Sequence, residues 1–153
     1  MKVVTPTDSE ILELMTWFDS EQTLSEWSGP GFRYPFNLQT FKADLQLNEL
    51  QCCALVDDNN ELLAFGQYYL RLGRCHLARL VVSPLQRGKG LAKSLMLELC
   101  KRGLQSLKVR ESSLFVYEYN QSAIKAYEKF GFVITPYPEE MALDGCVYMV
   151  KSL

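Results

Sequence analysis

The amino-acid sequence predicts a single α/β domain over residues 1–153. Its length of 153 residues is that of one ordinary domain. Apolar stretches typical of strands alternate with segments whose apolar residues recur at helical spacing, and neither a repeat nor a linker interrupts them. A composition of 48% hydrophobic and 22% charged residues can bury a core and is unlike that of a disordered chain.

The first third of the chain is expected to form one short strand and two helices. The strand lies at Val3–Val4, and a helix over 8–19 follows, capped by the side chain of its first or second residue. Residues 22–37 are rich in glycine, proline and aromatic residues, which is typical of a loop. A short helix is expected near 38–48.

The remaining two thirds alternate strands with two further helices. An Asp-Asp-Asn-Asn turn joins the first two strands as a hairpin. In order, the expected elements are strands Cys52–Val56, Leu62–Leu70 and His76–Val82, a long helix ending near Leu107, a strand Leu114–Tyr119, a helix from Asn120 to Phe130, and strands near 132–135 and 145–151.

Charge is unevenly distributed along the chain. The net charge is −2 and the isoelectric point is about 5.5, which argues against a dedicated nucleic-acid binder. Residues 71–110 carry ten basic side chains and one acidic one, a balance of +9, whereas residues 1–61 carry eleven acids and three bases, a balance of −8. Two hypotheses fit: solvated charged faces, or a site for a multiply anionic ligand opposite an acidic region that would suit a cation.

Membrane and metal sites are not indicated. No run of 18 apolar residues is present, and the N-terminus lacks the apolar core of a secretory signal, so a cytoplasmic protein is expected. The five cysteines are odd in number and lack C-x-x-C spacing, which favours reduced thiols and no metal site. Cys75 and the only histidine, His76, are neighbours on a strand, so they face opposite sides and cannot form a dyad.

A glycine turn, Arg87-Gly88-Lys89-Gly90-Leu91-Ala92, links a strand to the long helix. Glycines allow a close backbone approach, and a helix N-terminus offers unpaired N–H groups to a phosphate. A Walker A loop is a poor match because Gly90 follows Lys89 where Ser or Thr is needed, and a dinucleotide fingerprint is a poor match because position 93 is Lys. A purely structural turn is the remaining alternative.

Two segments resemble the motifs of the GNAT superfamily of N-acetyltransferases. Arg87, Gly90 and Ala92 match the Q/R-x-x-G-x-G/A pattern of motif A. The segment from Leu114 to Phe132, with Asn120 and then Tyr-Glu-Lys-Phe-Gly-Phe, is similar to motif B. The two segments have the family's order and spacing, and the order of elements matches over nearly the whole chain.

The resemblance implies the family's fold and co-substrate. The fold would be a mixed, mostly antiparallel sheet of six to seven strands with about four helices, whose two parallel central strands splay to hold acetyl-CoA. Backbone groups of Leu80 and Val82 would pair with the pantetheine arm, and an amide in Leu80-Val81 would polarise the thioester carbonyl. The amides of Arg87, Gly88, Lys89, Gly90, Leu91 and Ala92 would hold the pyrophosphate, with added charge from Arg87, Lys89 and Lys93.

Two residues of the second motif have both structural and functional interpretations. Asn120 can cap the following helix, and the matching family residue also contacts the cofactor arm. Tyr127 can be a packed aromatic, and in the family it is a general acid that protonates the departing CoA thiolate, a role that also places it at the cofactor. Its ordinary pKa of about 10 keeps a tyrosine protonated at neutral pH.

The general base is left open. Family members often carry Glu at the positions of Ala78 or Phe115, and both are apolar here. Candidates, acting directly or through water, are Glu118, Glu26, His76 and Tyr34. An amine of low pKa would need no base.

The resemblance therefore favours an acetyl-CoA-dependent N-acetyltransferase in which a primary amine attacks directly in a ternary complex. The alternatives are a non-catalytic acyl-CoA-binding or regulatory GNAT-like protein and a structural α/β module. The resemblance implies an acceptor that carries an amine on a small molecule or peptide. No nucleic-acid or membrane partner is expected, and the protein is expected to be a monomer or homodimer. Trp27, Phe32, Tyr34 and Phe36 either line an acceptor pocket or form the core of a packed loop.

Overall fold

The computed structural model describes residues 1–141 and 143–152. Within that part of the chain there are seven strands and five helices. In chain order they are β1 (Lys2–Val4), α1 (Asp8–Met15), α2 (Glu21–Ser28), α3 (Leu38–Asp44), β2 (Gln51–Val56), β3 (Leu62–Arg71), β4 (Arg74–Val82), α4 (Leu91–Leu107), β5 (Glu111–Tyr117), α5 (Gln121–Phe130), β6 (Val133–Thr135) and β7 (Cys146–Ser152).

The strands form one mixed sheet in the order β1-β2-β3-β4-β5-β7-β6. The β1–β2, β2–β3, β5–β7 and β6–β7 pairs are antiparallel, and the β4–β5 pair is parallel. This confirms the expected mixed, mostly antiparallel sheet with two parallel central strands. The number of helices is five rather than about four, because α2 occupies a segment expected to be loop.

The chain divides into two compact units. The first comprises Met1–Tyr68 and Arg79–Leu99, and the second comprises Tyr69–Ala78 and the chain from Cys100 onward. Three regular elements, β3, β4 and α4, each contribute residues to both units.

The first unit is built around an apolar core supplied by three helices and two strands. Ile11 and Leu14 of α1, Phe41 of α3 and Phe65 of β3 are fully buried in it. Thr7 and Glu10 form a capping box at the start of α1, so the helix starts from a cap one residue earlier than expected and ends four residues sooner, at Met15.

The helix α2 corrects the prediction of a loop over 22–37. Ser20 and Thr23 form a capping box that starts it, and Gly29, with φ of +76°, ends it. Only Leu24 and Ser28 of its eight residues are buried. Because most residues of α2 are polar, the sequence offered few apolar positions from which to predict a helix, and the neighbouring glycines and prolines dominated the prediction.

The second unit contains the parallel register and the C-terminal strands. Asn120 caps α5, and Gly131 ends it in the left-handed region at φ +111°, as the sequence indicated. The strand β5 begins three residues earlier than expected because Ser112 and Ser113, although polar, are buried in it. It ends at Tyr117 rather than at Tyr119.

No helix in the described part of the chain is long and apolar enough to span a bilayer. The five cysteines are all free thiols.

Candidate functional site

The glycine turn between β4 and α4 has an open surface. Gly88 and Gly90 have φ angles of +81° and +76°, which residues with side chains rarely adopt. Apart from the residues adjacent in the chain, no atom of the described residues lies within 4 Å of the position that a Cβ would take at either glycine. The two glycines are therefore required by the backbone conformation and not by packing, and the turn is accessible to a ligand.

The helix α4 begins directly after this turn, and no side chain of residues 1–141 or 143–152 caps its first N–H groups. Its first backbone bond runs from the N–H of Ser94 to the carbonyl of Gly90, at 3.2 Å. Among the described residues, no acceptor lies within hydrogen-bond distance of the N–H groups of Leu91, Ala92 and Lys93. These donors, at the positive end of a 17-residue helix, suit an anion such as a phosphate.

Three cations surround the turn. Arg87, Lys89 and Lys93 are all exposed, and Lys89 Nζ donates a hydrogen bond to Gln86 Oε1 at 3.0 Å. Their contribution of charge to a pyrophosphate site stays a prediction.

Other members of the basic segment have different partners. Arg74 Nε forms an ion pair with Glu111 Oε1 at 3.1 Å. Arg79 donates from Nε to the carbonyl of Ser28 at 3.3 Å and from Nη1 to Gln67 Oε1 at 3.0 Å. Arg74 and Arg79 are therefore engaged by other groups of the protein, and the cations at the glycine turn stay candidates for binding an anionic ligand.

Arg79 also marks a bulge in β4, with φ of +52°. Gln67, which Arg79 contacts, and Tyr69, whose ring lies 5.3 Å from that of His76, are two residues apart and share one face of β3. His76 and Arg79 are three residues apart, yet both contact this face. An extra residue in β4 is needed to bring them there, which is the geometry of a β-bulge.

The residues that follow the bulge are held by packing on both sides. Leu80 Cδ2 and Leu99 Cδ1 crowd Gly66 of β3 on the face that carries α4. Val81 packs on the core formed with α1 to α3. Alternate packing of consecutive side chains fixes the backbone from Leu80 to Val82 in an extended conformation.

The parallel register of β4 with β5 is short. It pairs Cys75, His76 and Leu77 with Ser112, Ser113 and Leu114. The bulge and the predicted cofactor residues Leu80, Val81 and Val82 all follow this register in β4.

Asn120 is the N-cap of α5. Its Oδ1 accepts hydrogen bonds from the N–H of Ala123 at 3.3 Å and from the hydroxyl of Ser122 at 3.2 Å. The capping interpretation is therefore what the structure shows, and the exposed side chain keeps its amide donors available.

Tyr127 lies two turns along α5, half-buried, with its ring 6.2 Å from that of Phe132. Burial raises the pKa of its phenol above the ordinary value. Its hydroxyl has no hydrogen-bond partner among the described residues. A protonated phenol with a free donor is what a general acid requires.

His76 is unsuited to act as a general base. Its side chain is 2% exposed, and a 2.8 Å hydrogen bond joins its Nδ1 to Ser113 Oγ. Burial, assisted by the charge of Arg71, lowers its pKa to about 3. Such an imidazole is neutral and weakly basic throughout the physiological range.

The other candidate bases are exposed and have other contacts. Glu26 Oε1 accepts from Gln22 Nε2 at 3.2 Å, and the Tyr34 hydroxyl donates to the carbonyl of Asp19 at 3.5 Å. Glu118 is exposed just after β5.

The aromatic loop residues pack mainly into the core. Trp27 stacks on Phe18 with ring centroids 4.4 Å apart, and Phe32 and Phe36 lie 5.4 and 5.0 Å from Phe41. Of the two alternatives for this segment, the structure favours a packed core for these rings and leaves Tyr34, 40% exposed, at the surface.

Sequence reasoning missed a cluster around Arg71 at the end of β3. Its guanidinium contacts Tyr69, Phe115 and Tyr137. Because Tyr137 is 66 residues away in the chain, no local sequence pattern could have indicated this contact.

No group of three or more metal-ligating side chains occurs within residues 1–141 and 143–152.

Comparison with known proteins identifies similar sequences and folds. A family model described as the acetyltransferase (GNAT) family matches residues 13–132. A spermine/spermidine N(1)-acetyltransferase of Bacillus subtilis is 30% identical over 101 residues. That match covers 61% of this chain, and the chain spans 64% of the length of this curated relative.

Two solved structures show the same fold. The spermidine N-acetyltransferase of Vibrio cholerae, in complex with CoA and spermine, has a TM-score of 0.74 and 17% identity over 99% of this chain and 94% of that one. The PaiA N-acetyltransferase of Thermoplasma acidophilum, in complex with coenzyme A, has a TM-score of 0.71 and 15% identity over 99% and 98% of the two chains.

Proposed function

The chain belongs to the GNAT acetyltransferase family, and we propose that it transfers an acetyl group from acetyl-CoA to a primary amine by direct attack in a ternary complex. A C–N bond forms as the C–S bond breaks, the amine loses a proton, and the leaving sulfur gains one. The observation that carries the proposal is the open glycine turn that leads into α4, whose first N–H groups have no acceptor in the described part of the chain.

The residues near the turn would bind acetyl-CoA, which supplies the activated acetyl group. The amides from Arg87 to Ala92, including those of Gly88, Lys89, Gly90 and Leu91, would hold the pyrophosphate. Supporting this assignment, the N–H groups of Leu91 and Ala92 lack acceptors among the described residues and the three neighbouring cations are exposed.

The strand after the bulge would bind the cofactor arm. Leu80, Val81 and Val82 would offer backbone groups to the pantetheine, and an amide in Leu80-Val81 would donate to the thioester oxygen. Support comes from the bulge at Arg79, which changes the direction of these backbone groups, and from the packing that holds Leu80 and Val81 in place.

Asn120 and Tyr127 would act at the reacting end of the cofactor. Asn120 would donate from its side-chain amide, which capping leaves available. Tyr127 would donate its phenolic proton to the leaving sulfur, since its pKa is raised and its hydroxyl has no partner among residues 1–141 and 143–152. A free proton donor at this position favours a catalytic protein over a non-catalytic acyl-CoA binder.

The acceptor amine would lose its proton to water, with Glu26, Glu118 or Tyr34 as candidate relays. His76 is left out because its pKa of about 3 makes it too weak a base.

We further propose that residues 1–153 act as one acetyltransferase domain, as a monomer or homodimer, in the cytoplasm. The three elements shared by both compact units support a single domain, and five free thiols support a reducing compartment.

The test replaces Gly90 by glutamate, which puts negative charge at the proposed pyrophosphate site. Gly73→Glu is a matched control, because Gly73 has φ of +74° and, like Gly90, has no described atom other than those of its chain neighbours within 4 Å of the position that a Cβ would take. Calorimetry with CoA should show a loss of affinity of at least about tenfold for Gly90→Glu and little change for Gly73→Glu. Equal affinities in the two folded variants would contradict the cofactor site.

The activity itself is tested by thiol release from acetyl-CoA with a panel of amines. The panel includes spermine and spermidine, since the Bacillus subtilis relative is named for them, together with amino acids and peptides. Binding of CoA without thiol release above the solvent background for any amine would favour the non-catalytic alternative.

A further inference from the structure

The cluster around Arg71 has a feature that acetyl transfer to an amine alone does not explain. We propose that the acetyl acceptor carries a carboxylate in addition to its amine, and that Arg71 binds this carboxylate. The inference rests on the proposed function and names the class of acceptor: amino acids or peptides, and not polyamines.

Two phenols orient the guanidinium of Arg71. Its Nε donates to the hydroxyl of Tyr137 at 3.0 Å, and its Nη1 donates to the hydroxyl of Tyr69 at 3.1 Å. The guanidinium carbon also lies 5.0 Å from the ring centre of Phe115 and 5.7 Å from that of Tyr137. The side chain is thus held in one orientation before any ligand binds, which lowers the entropic cost of binding.

The guanidinium keeps enough donors for a bidentate ligand. Of its five N–H groups, the two phenols use one on Nε and one on Nη1. One N–H on Nη1 and both on Nη2 have no acceptor among the described residues. Two parallel N–H donors match the two oxygens of a carboxylate.

Arg71 also lacks a counter-ion. No carboxylate of residues 1–141 or 143–152 lies within 4 Å of it, although Glu139 and Glu140 follow Tyr137 closely in the chain. By contrast, Arg74 is paired with Glu111 at 3.1 Å and Arg33 with Asp44 at 2.9 Å. A half-buried cation with no acid partner gains most from a ligand that brings the negative charge.

The walls of the cluster suit a small organic anion. Tyr69, Phe115 and Tyr137 are each half-buried, so the aromatic surface reaches solvent. The buried neighbour His76 is neutral, and Glu111 is engaged by Arg74. The local charge is therefore positive, which attracts a carboxylate and repels a polyamine.

The position of the cluster also fits an acceptor. Phe115 is the first residue of β5 beyond the parallel register, which ends at Leu114 opposite Leu77. The proposed function places Tyr127, which belongs to the same compact unit as Arg71 and Phe115, at the leaving sulfur. A carboxylate bound by Arg71 would therefore be held in the unit that supplies the proton donor of the reaction.

The first experiment compares the twenty common amino acids with their carboxamides, and adds spermidine and putrescine. We expect kcat/KM for the best amino acid to exceed that for its carboxamide by about tenfold to a hundredfold, as for a charge-assisted hydrogen-bonded pair. Equal kcat/KM for the amino acid and its carboxamide, or a higher kcat/KM for the polyamines, would overturn the carboxylate site while leaving acetyl transfer established.

Substitutions then test whether Arg71 causes the preference for a carboxylate over a carboxamide. Arg71→Gln should raise KM for the amino acid to that for the carboxamide, with the carboxamide kinetics and KM for acetyl-CoA unchanged. Arg71→Lys should keep part of the preference, because it retains the charge but not the fork of donors. Arg110→Gln is the control, since it removes an exposed cation of the same unit that has no contact with the cluster, and it should behave as wild type. If Arg71→Gln lowered kcat/KM equally for the amino acid and for its carboxamide, carboxylate binding by Arg71 would be refuted.

A binding measurement separates this inference from the proposed function. The Nε–H signal of Arg71, assigned by its absence in Arg71→Lys, is followed by NMR while CoA-saturated protein is titrated with N-acetylglycine or N-acetylglycinamide. A shift with the acid alone supports the carboxylate site, even if no amine were acetylated. No shift with either compound, in a protein that transfers acetyl groups, would overturn the site and leave the enzyme intact.

Discussion

The buried imidazole of His76 makes the stability of the protein depend on pH in a defined range. Its pKa is lowered from about 6.5 to about 3 in the folded protein, chiefly by burial. Below pH 6.5 the unfolded chain therefore binds a proton that the folded chain excludes. The contribution of His76 is fully present above pH 6.5 and is lost as the pH falls towards 3.

The magnitude follows from the two pKa values. Between pH 7 and pH 5, protonation of an unfolded-state imidazole with a pKa of 6.5 stabilises the unfolded chain by about 2 kcal/mol. The folded pKa hardly affects this figure, since any value below about 4 leaves the folded imidazole neutral at pH 5. The Asp44 carboxyl contributes little here, because Arg33 lowers its pKa and it is ionised in both states.

The assay is urea denaturation at pH 7 and at pH 5. Wild-type protein should lose about 2 kcal/mol more of its free energy of unfolding than His76→Gln does over this interval. Because His76 is the only histidine of the chain, its ring signals in an NMR spectrum are unambiguous. They should not titrate between pH 7 and pH 5.

A histidine signal that titrates near pH 6.5 would refute the reasoning, because it would show a solvated imidazole. An equal loss of stability in wild type and His76→Gln would refute it as well, since other groups would then cause the acid sensitivity.

Two substitutions test the roles of other residues. Tyr127→Phe should lower kcat by about tenfold to a few hundredfold through loss of the proton donor, with the melting temperature and the KM for acetyl-CoA nearly unchanged in steady-state kinetics; a wild-type kcat would reduce Tyr127 to a packed aromatic. Gly66→Ala should destabilise the protein by about 1–3 kcal/mol in urea denaturation, because the new Cβ would lie 2.7 Å from Leu99 Cδ1 and 2.9 Å from Leu80 Cδ2. Ala64→Ser enlarges another buried side chain of the same strand and serves as the control. If both variants lost the same free energy of unfolding, the specific overlap at Gly66 would be contradicted.

Elements with a strong periodic pattern were predicted well from the sequence. In α4, the helical spacing of Leu91, Ala92, Leu95, Met96 and Leu99 predicts one apolar face, and Leu95, Met96 and Leu99 are buried. Leu91 is half-buried and Ala92 is exposed, both in the first turn of the helix. Apolar residues at helical spacing report burial directly, so such patterns need no knowledge of the partner surface.

Features that depend on distant contacts were not predictable. The bulge at Arg79 has no glycine to signal its positive φ, and it is instead accompanied by bonds from its guanidinium to Ser28 and Gln67. The cluster around Arg71 depends on Tyr137, which the sequence places in no motif. Side-chain bonds between residues tens of positions apart leave no local pattern, so part of the candidate site was invisible before the structure.

The interleaving of the two compact units restricts how this protein can change by recombination. Each unit consists of two separate stretches of chain, and the boundaries between the units fall within β3, β4 and α4. No single crossover in the gene can therefore inherit one unit whole from one parent and the other unit whole from a second. In a chimera whose crossover lies between residues 69 and 99, each of the two units would combine segments from both parents. New acceptor preferences in such a lineage would arise by substitution at individual positions, and not by exchange of ready-made halves.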